Sequence, residues 1–97
     1  MILGLLELDL HIPESHSLKD KRSIVKSIIS KIRNKYNVSV GEMEHQDLCQ
    51  RALIGIVCVS QNEHDLRRIF GRIEQEVFDM YLVEKIQGKI SVFSPDS

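Results

Sequence analysis

The sequence contains no tryptophan, two prolines and five scattered glycines, and no charge of one sign dominates it. Each absence removes a class. So few Pro and Gly, with 42% hydrophobic and 28% charged residues, exclude collagen-like and disordered chains and fit an ordinary globular domain. A formal net charge of −1 announces no global affinity for nucleic acid. The two cysteines, Cys49 and Cys58, form no C-x-x-C pair. They fit two reduced thiols of an intracellular protein rather than a disulfide framework. No G-x-G-x-x-G, G-K-[ST], G-x-S-x-G or H-E-x-x-H run occurs, so the common phosphate-loop, hydrolase and metalloprotease signatures are missing. The apolar run from Met1 to Leu6 is cut by Glu7 and Asp9. It is too short for a signal peptide, and no stretch approaches the roughly 20 apolar residues of a membrane span. The expectation is a cytoplasmic protein without a membrane segment.

What is present is periodicity. Between Ile2 and Ile12, Leu6, Leu8, Leu10 and Ile12 share one face and Glu7, Asp9 and His11 the other, the period of a half-buried strand. Leu3 and Leu5 add apolar groups to the otherwise polar face. Pro13 stops the strand, and Ser15 and Ser17 offer helix caps. Leu18, Val25, Ile28, Ile29, Ile32 and Tyr36 then fall at helical spacings. Val38–His45 reads as a second strand, with a phase shift that suggests a bulge at Gly41. Ala52–Val59, apolar on both faces, predicts a central strand, and Gly55 within it suggests close approach of a neighbour such as a helix. Ser60 to Asn62 open a second helix, with Asn62 and Asp65, or Ser60 and Glu63, resembling a capping pair and Leu66, Ile69, Phe70, Ile73, Val77 and Met80 as its stripe. A last strand, about Leu82 to Phe93, carries Ile86, Ile90 and Val92 on one face. Its lysines suit an edge.

The order strand, helix, strand, strand, helix, strand predicts an α+β fold. With right-handed crossovers this is the ferredoxin-like β-α-β-β-α-β sandwich, a four-stranded antiparallel sheet with two helices on one face. Residues 1–93 form one domain in this reading, and residues 94–97 a flexible tail. The helix-free sheet face would then carry Leu3, Leu5 and half of Ala52–Val59. A face that apolar is expected to be covered by a second copy or another protein, with Leu3 and Leu5 at the contact. The competing expectation is that Lys85 and Lys89 drape over it.

The strongest charge feature is the first helix. Residues 17–36 hold seven Lys or Arg against one Asp, a formal +6. Lys31, Arg33 and Lys35, near the C-terminus, suit the helix dipole. Lys19, Lys21 and Arg22, in the first turns, oppose it. With Lys26 they are the candidate contacts for an anion such as an RNA backbone. The predicted central strands contain no aromatic residue, so base stacking on the sheet, as in RNA-recognition modules, is not expected. The connection His45-Gln46-Asp47-Leu48-Cys49 gathers side chains capable of base, nucleophile or metal chemistry. A flexible connection is a poor preset for such a site. Turn or cap duty for Asp47, and a core anchor in Leu48, is the simpler reading. Neither an enzyme, a metal site nor a cofactor is expected.

A family resemblance rests on several runs: Gly4-Leu5-Leu6-Glu7-Leu8, Ile12-Pro13, Ser17-Leu18-Lys19-Asp20-Lys21-Arg22, Asn37-Val38-Ser39-Val40, His45-Gln46-Asp47-Leu48 and Arg51-Ala52. Together these resemble the bacterial YlxP-like family over about residues 2–93. The resemblance implies a ferredoxin-like fold without an assigned activity. It also implies gene neighbourhoods shared with translation factors and a ribosome-binding factor. The family pattern falls here on Ser17, Leu18, Lys19, Lys21 and Arg22, and on Gln46 and Asp47. Cys49 departs from it, standing where the family often has an aromatic residue. The implied role is an accessory factor associated with RNA or ribosomal particles. The alternative is a homodimeric structural or regulatory module that binds a protein, or a small ligand at the Pro13–Ser17 loop.

Overall fold

The computed structural model describes residues 1–95; of the predicted tail, Asp96 and Ser97 lie outside the described residues. The elements are β1 (Ile2–His11), α1 (Leu18–Lys35), β2 (Ser39–Glu44), β3 (Arg51–Ser60), α2 (Glu63–Met80) and β4 (Glu84–Phe93). They build one sheet of order β2-β3-β1-β4. All neighbouring strands are antiparallel. This is the predicted ferredoxin-like sandwich. No described helix is long and apolar enough to cross a membrane.

Local chemistry fixes both helix starts. Ser17 caps α1 by accepting from the Asp20 amide at 3.0 Å, and the Asp20 carboxylate accepts in turn from the His16 amide. Asn62 caps α2 by accepting from the Asp65 amide at 2.9 Å. Each cap contributes about 1 kcal/mol. Both helices end on a tyrosine whose hydroxyl reaches the other helix. Tyr36 donates to Glu76, and Tyr81 shares a hydrogen bond with Ser27. Hydrogen bonds from Lys35 and Tyr36 hold the Glu76 carboxyl below the usual range, while burial and Glu76 push Tyr36 up to about 12.

The core lies between the helices and one face of the sheet. Leu6, Leu8, Leu10, Ile54 and Ile56 meet Ile28 and Ile32 of α1 and Leu66, Phe70, Ile73 and Val77 of α2. Cys58 belongs to this core, and burial pushes its thiol up.

Several expectations need correction. The bulge in β2 lies between Glu42 and Glu44, not at Gly41, which pairs with Gly55. Met43, the extra residue, turns its side chain over the open face at Gly55, where an added Cβ would meet Met43 Cγ at 2.9 Å. The neighbour at Gly55 is thus a methionine rather than a helix. The helix comes close at Gly4, where a Cβ would stand 2.3 Å from Leu66 Cδ2. Ile86 loses its phase because the β1–β4 register slips beside it, and it is half exposed. Met80 and Leu48 are also half exposed, so neither anchors the core.

Gly4 carries a direct expectation. Leu66 is fully buried and has no room to retreat. Gly4→Ala should destabilise the domain by about 1–3 kcal/mol through overpacking. A lower urea midpoint at unchanged slope would show it, and an unmoved midpoint would remove the close-packing argument.

Candidate functional site

Two loops meet at one end of the sheet, and both are built by hydrogen bonds from other parts of the chain. Gln50 Nε2 donates to the carbonyls of Pro13 and Ser15, and the Ile12 amide donates to the Gln50 carbonyl. The β1–α1 loop is thereby tied to the β2–β3 loop. Ser15 is fully buried, with its hydroxyl on the Ser17 carbonyl. The Pro13–Ser17 segment is therefore held in place by Gln50 and by the buried Ser15.

The second tie is Lys21. Its side chain is fully buried, unlike the exposed chains around it. The ammonium donates to the His45 and Arg51 carbonyls and lies 2.9 Å from Glu42 Oε2. That contact is an ion pair without hydrogen-bond alignment, since Glu42 Oε2 has no hydrogen-bond donor. Two carbonyl acceptors and an adjacent carboxylate charge account for a lysine that is otherwise costly to bury. Lys21 is therefore withdrawn from the anion-contact set. Its charge is spent inside the domain, where it holds α1 to the β2–β3 connection.

His45, Gln46 and Asp47 take their geometry from this tie. The Leu48 amide donates to the His45 carbonyl at 3.0 Å, closing a turn with exposed Gln46 and Asp47 in the middle. His45 has φ of 65°, a left-handed conformation that is uncommon outside glycine but enriched in His, Asn and Asp. The expected turn role of Asp47 is what the backbone provides.

The His45 ring lies over the polar half of the open sheet face. Arg51 Nη2 donates to both Asp9 oxygens, at 3.0 and 2.9 Å. His45 Nε2 is 3.5 Å from Arg51 Nη2 and 3.9 Å from Asp9 Oδ1. The last distance is beyond hydrogen-bond reach, so Asp9 orients no base, and Arg51 takes its charge. No hydrogen bond or ion pair among the described residues joins His45 to Asp47 or Cys49. No three His, Cys, Asp or Glu among them are grouped to hold a metal ion. His11 pairs separately with Glu84 at 2.9 Å. The Asp9–Arg51–His45 cluster escaped sequence reasoning because its members lie on three separate strands and loops.

The remaining cations of α1 are exposed. Lys19, Arg22 and Lys26 stand in the solvent, spaced three and four apart and hence along one line of the helix. None of them enters an ion pair among the described residues. Arg33 extends the line by about two turns and reaches the Val40 carbonyl at 3.4 Å. Lys35 is occupied by Glu76, and Lys31 lies over the Tyr81 ring.

Comparison with known proteins decides the family. Residues 3–89 match the model of a protein family of unknown function, DUF503. The chain belongs to the DUF503 family. Its relative in Bacillus subtilis (strain 168), the uncharacterized protein YlxP, is 38% identical over 77 residues, 75% of this chain and 84% of that protein. Among solved structures, the structural-genomics protein YJCS superposes with a TM-score of 0.60 at 12% identity, covering 92% of this chain and 96% of its own. A de novo designed protein, Foldit4, gives 0.52 at 14% identity over 95% and 97%. These two likenesses concern the fold alone.

Within this DUF503 domain, the S-L-K-x-K-R and H-Q-D-L runs that carried the resemblance meet in space. Lys21 of the first grips the carbonyl of His45 at the head of the second. Part of that motif is thus architectural. Lys19 and Arg22 have no such duty.

Proposed function

We propose that this domain is a non-enzymatic accessory factor that docks on the phosphate backbone of RNA, on ribosomal particles, through the outer face of α1. Lys19, Arg22 and Lys26 make the contacts, and Arg33 extends the line. One observation carries the reading: three exposed cations in a row, without acidic partners among the described residues, two of them in first turns where the helix dipole disfavours them. A structural duty explains Lys21 and leaves these three without one. Recognition is of the backbone rather than of bases, because the open face of the two central strands offers no aromatic platform. A cytoplasmic location accords with such a partner.

Co-sedimentation with ribosomal subunits and with bulk RNA tests this. Three or four neutralised phosphates should weaken binding about 20- to 150-fold between roughly 50 and 200 mM monovalent salt. Binding insensitive to salt, or none at the lower salt, would contradict the proposal.

A second reading rests on a different surface. Apolar side chains are exposed on the helix-free sheet face, which favours a self-associating structural or regulatory module. Lys85 does not cover this face, because it turns to the helix side and pairs with Glu74 at 3.3 Å.

A further inference from the structure

The open face is divided into two halves. Its strand register sets Leu3 beside Val59 and Phe93, and Leu5 beside Val57. These, with Met43, form one apolar half. Val57, Val59, Met43 and Phe93 are 40%, 58%, 61% and 54% exposed. The other half carries the Asp9–Arg51–His45 cluster and the His11–Glu84 pair. Between the halves, Glu7 and Lys89 are register partners on β1 and β4. Neither enters an ion pair among the described residues.

We infer that the apolar half is the contact surface for a second copy of this chain, arranged about a two-fold axis so that Glu7 of each copy faces Lys89 of the other. This rests on the self-association reading of the sheet face and adds its partner and register. Complementarity points to a second copy. An isologous interface presents the same patch twice, so whatever one copy offers must fit what the same patch lacks. The apolar half meets this requirement in charge and in shape. Its border holds an acid and a base side by side, Glu7 and Lys89, neither in an ion pair among the described residues, and a two-fold pairing sets each against the opposite charge of the other copy. A strongly acidic or basic partner would leave one of them opposed by like charge. In shape, the open space over Gly41 leaves a shallow hollow of about 280 Å³ beside Leu5, Met43 and Val57. Phe93, half exposed and beside Leu3 on the neighbouring strand, lies over Leu3 of the other copy under the two-fold that pairs Glu7 with Lys89. Burial of apolar aromatic and methionine side chains within a polar border is the anatomy of a specific interface.

The arrangement has a consequence for the cationic helix. Sheets packed face to face lie about 10 Å apart, with the helical layers outermost. The two α1 faces then point outward, and a dimer offers two separate cationic lines to RNA.

Charge exchange between chains tests the contact. Glu7→Lys and Lys89→Glu are surface substitutions, and circular dichroism verifies that each variant folds. The molecular mass of the wild type and of each variant is measured by sedimentation up to about 200 µM. The wild type should dimerise. Each variant alone should dimerise at least about tenfold more weakly, because like charges then face each other twice across the axis. An equimolar mixture of the two variants should recover dimers at near wild-type affinity, since both cross-axis pairs become complementary. Rescue within a single chain cannot produce that recovery. A monomeric wild type would overturn self-association altogether. A dimeric wild type unaffected by both variants would retain self-association and overturn this contact surface. A weakened pair of variants that fails to recover on mixing would overturn the Glu7–Lys89 register.

Discussion

Lys21→Met should destabilise the domain by about 3–5 kcal/mol, the usual cost of breaking a buried ion pair from one side. The substitution nearly preserves volume, so packing changes little. What remains is a Glu42 carboxylate, 16% exposed, with no cation beside it. The Arg51 carbonyl loses the ammonium as a donor, and the His45 carbonyl retains only the Leu48 amide. The β2–β3 turn is then free of α1. Lys19→Met, two positions away and exposed, should change stability by less than about 0.5 kcal/mol. The double variant Lys21→Met, Glu42→Leu should recover much of the loss, because both charges leave together. Urea unfolding of the four proteins measures these differences. Equal stability of Lys21→Met and Lys19→Met would remove the strut.

The second large expectation concerns the outer face of the same helix. The triple variant Lys19→Glu, Arg22→Glu, Lys26→Glu should lose affinity for RNA by at least about 100-fold at low salt. Each reversal removes a neutralised phosphate and adds a repelling charge. Folding should survive, because all three side chains are exposed and enter no ion pair among the described residues. Acidic residues in the first turn also suit the helix dipole, so the variant should be no less stable than the wild type.

The sequence showed the architecture because its signals were local. Ser17 and Asn62 cap the helices they were expected to cap, and the alternation from Leu6 to Ile12 faces the core. Leu3 and Leu5 marked the second face as partly apolar before any register was known. The misreadings arise where tertiary pairing overrides local pattern. Ile86 continues an alternation that a register slip cancels. The phase shift in β2 comes from Met43, two residues beyond Gly41, whose long side chain lies across Gly55. A charge count carries no direction, so it groups Lys21 with its exposed neighbours. A signal for its burial was nevertheless present. The apolar stripe of α1 skips from Leu18 to Val25, and Lys21 fills the vacant inward slot, in line with Val25, Ile28 and Ile32. Its partner Glu42, and the pairing of Asp9 with Arg51, join residues far apart in the chain, and no short-range pattern announces them.

The most direct test of the account separates the two kinds of lysine in one binding measurement. RNA titrations at low salt would compare the wild type, the triple Glu variant, and the Lys21→Met, Glu42→Leu double variant, each verified as folded. The account expects the triple variant to lose binding and the double variant, whose missing lysine was never at the surface, to bind like the wild type. RNA binding retained by the triple variant, or lost in the folded double variant alone, would contradict it.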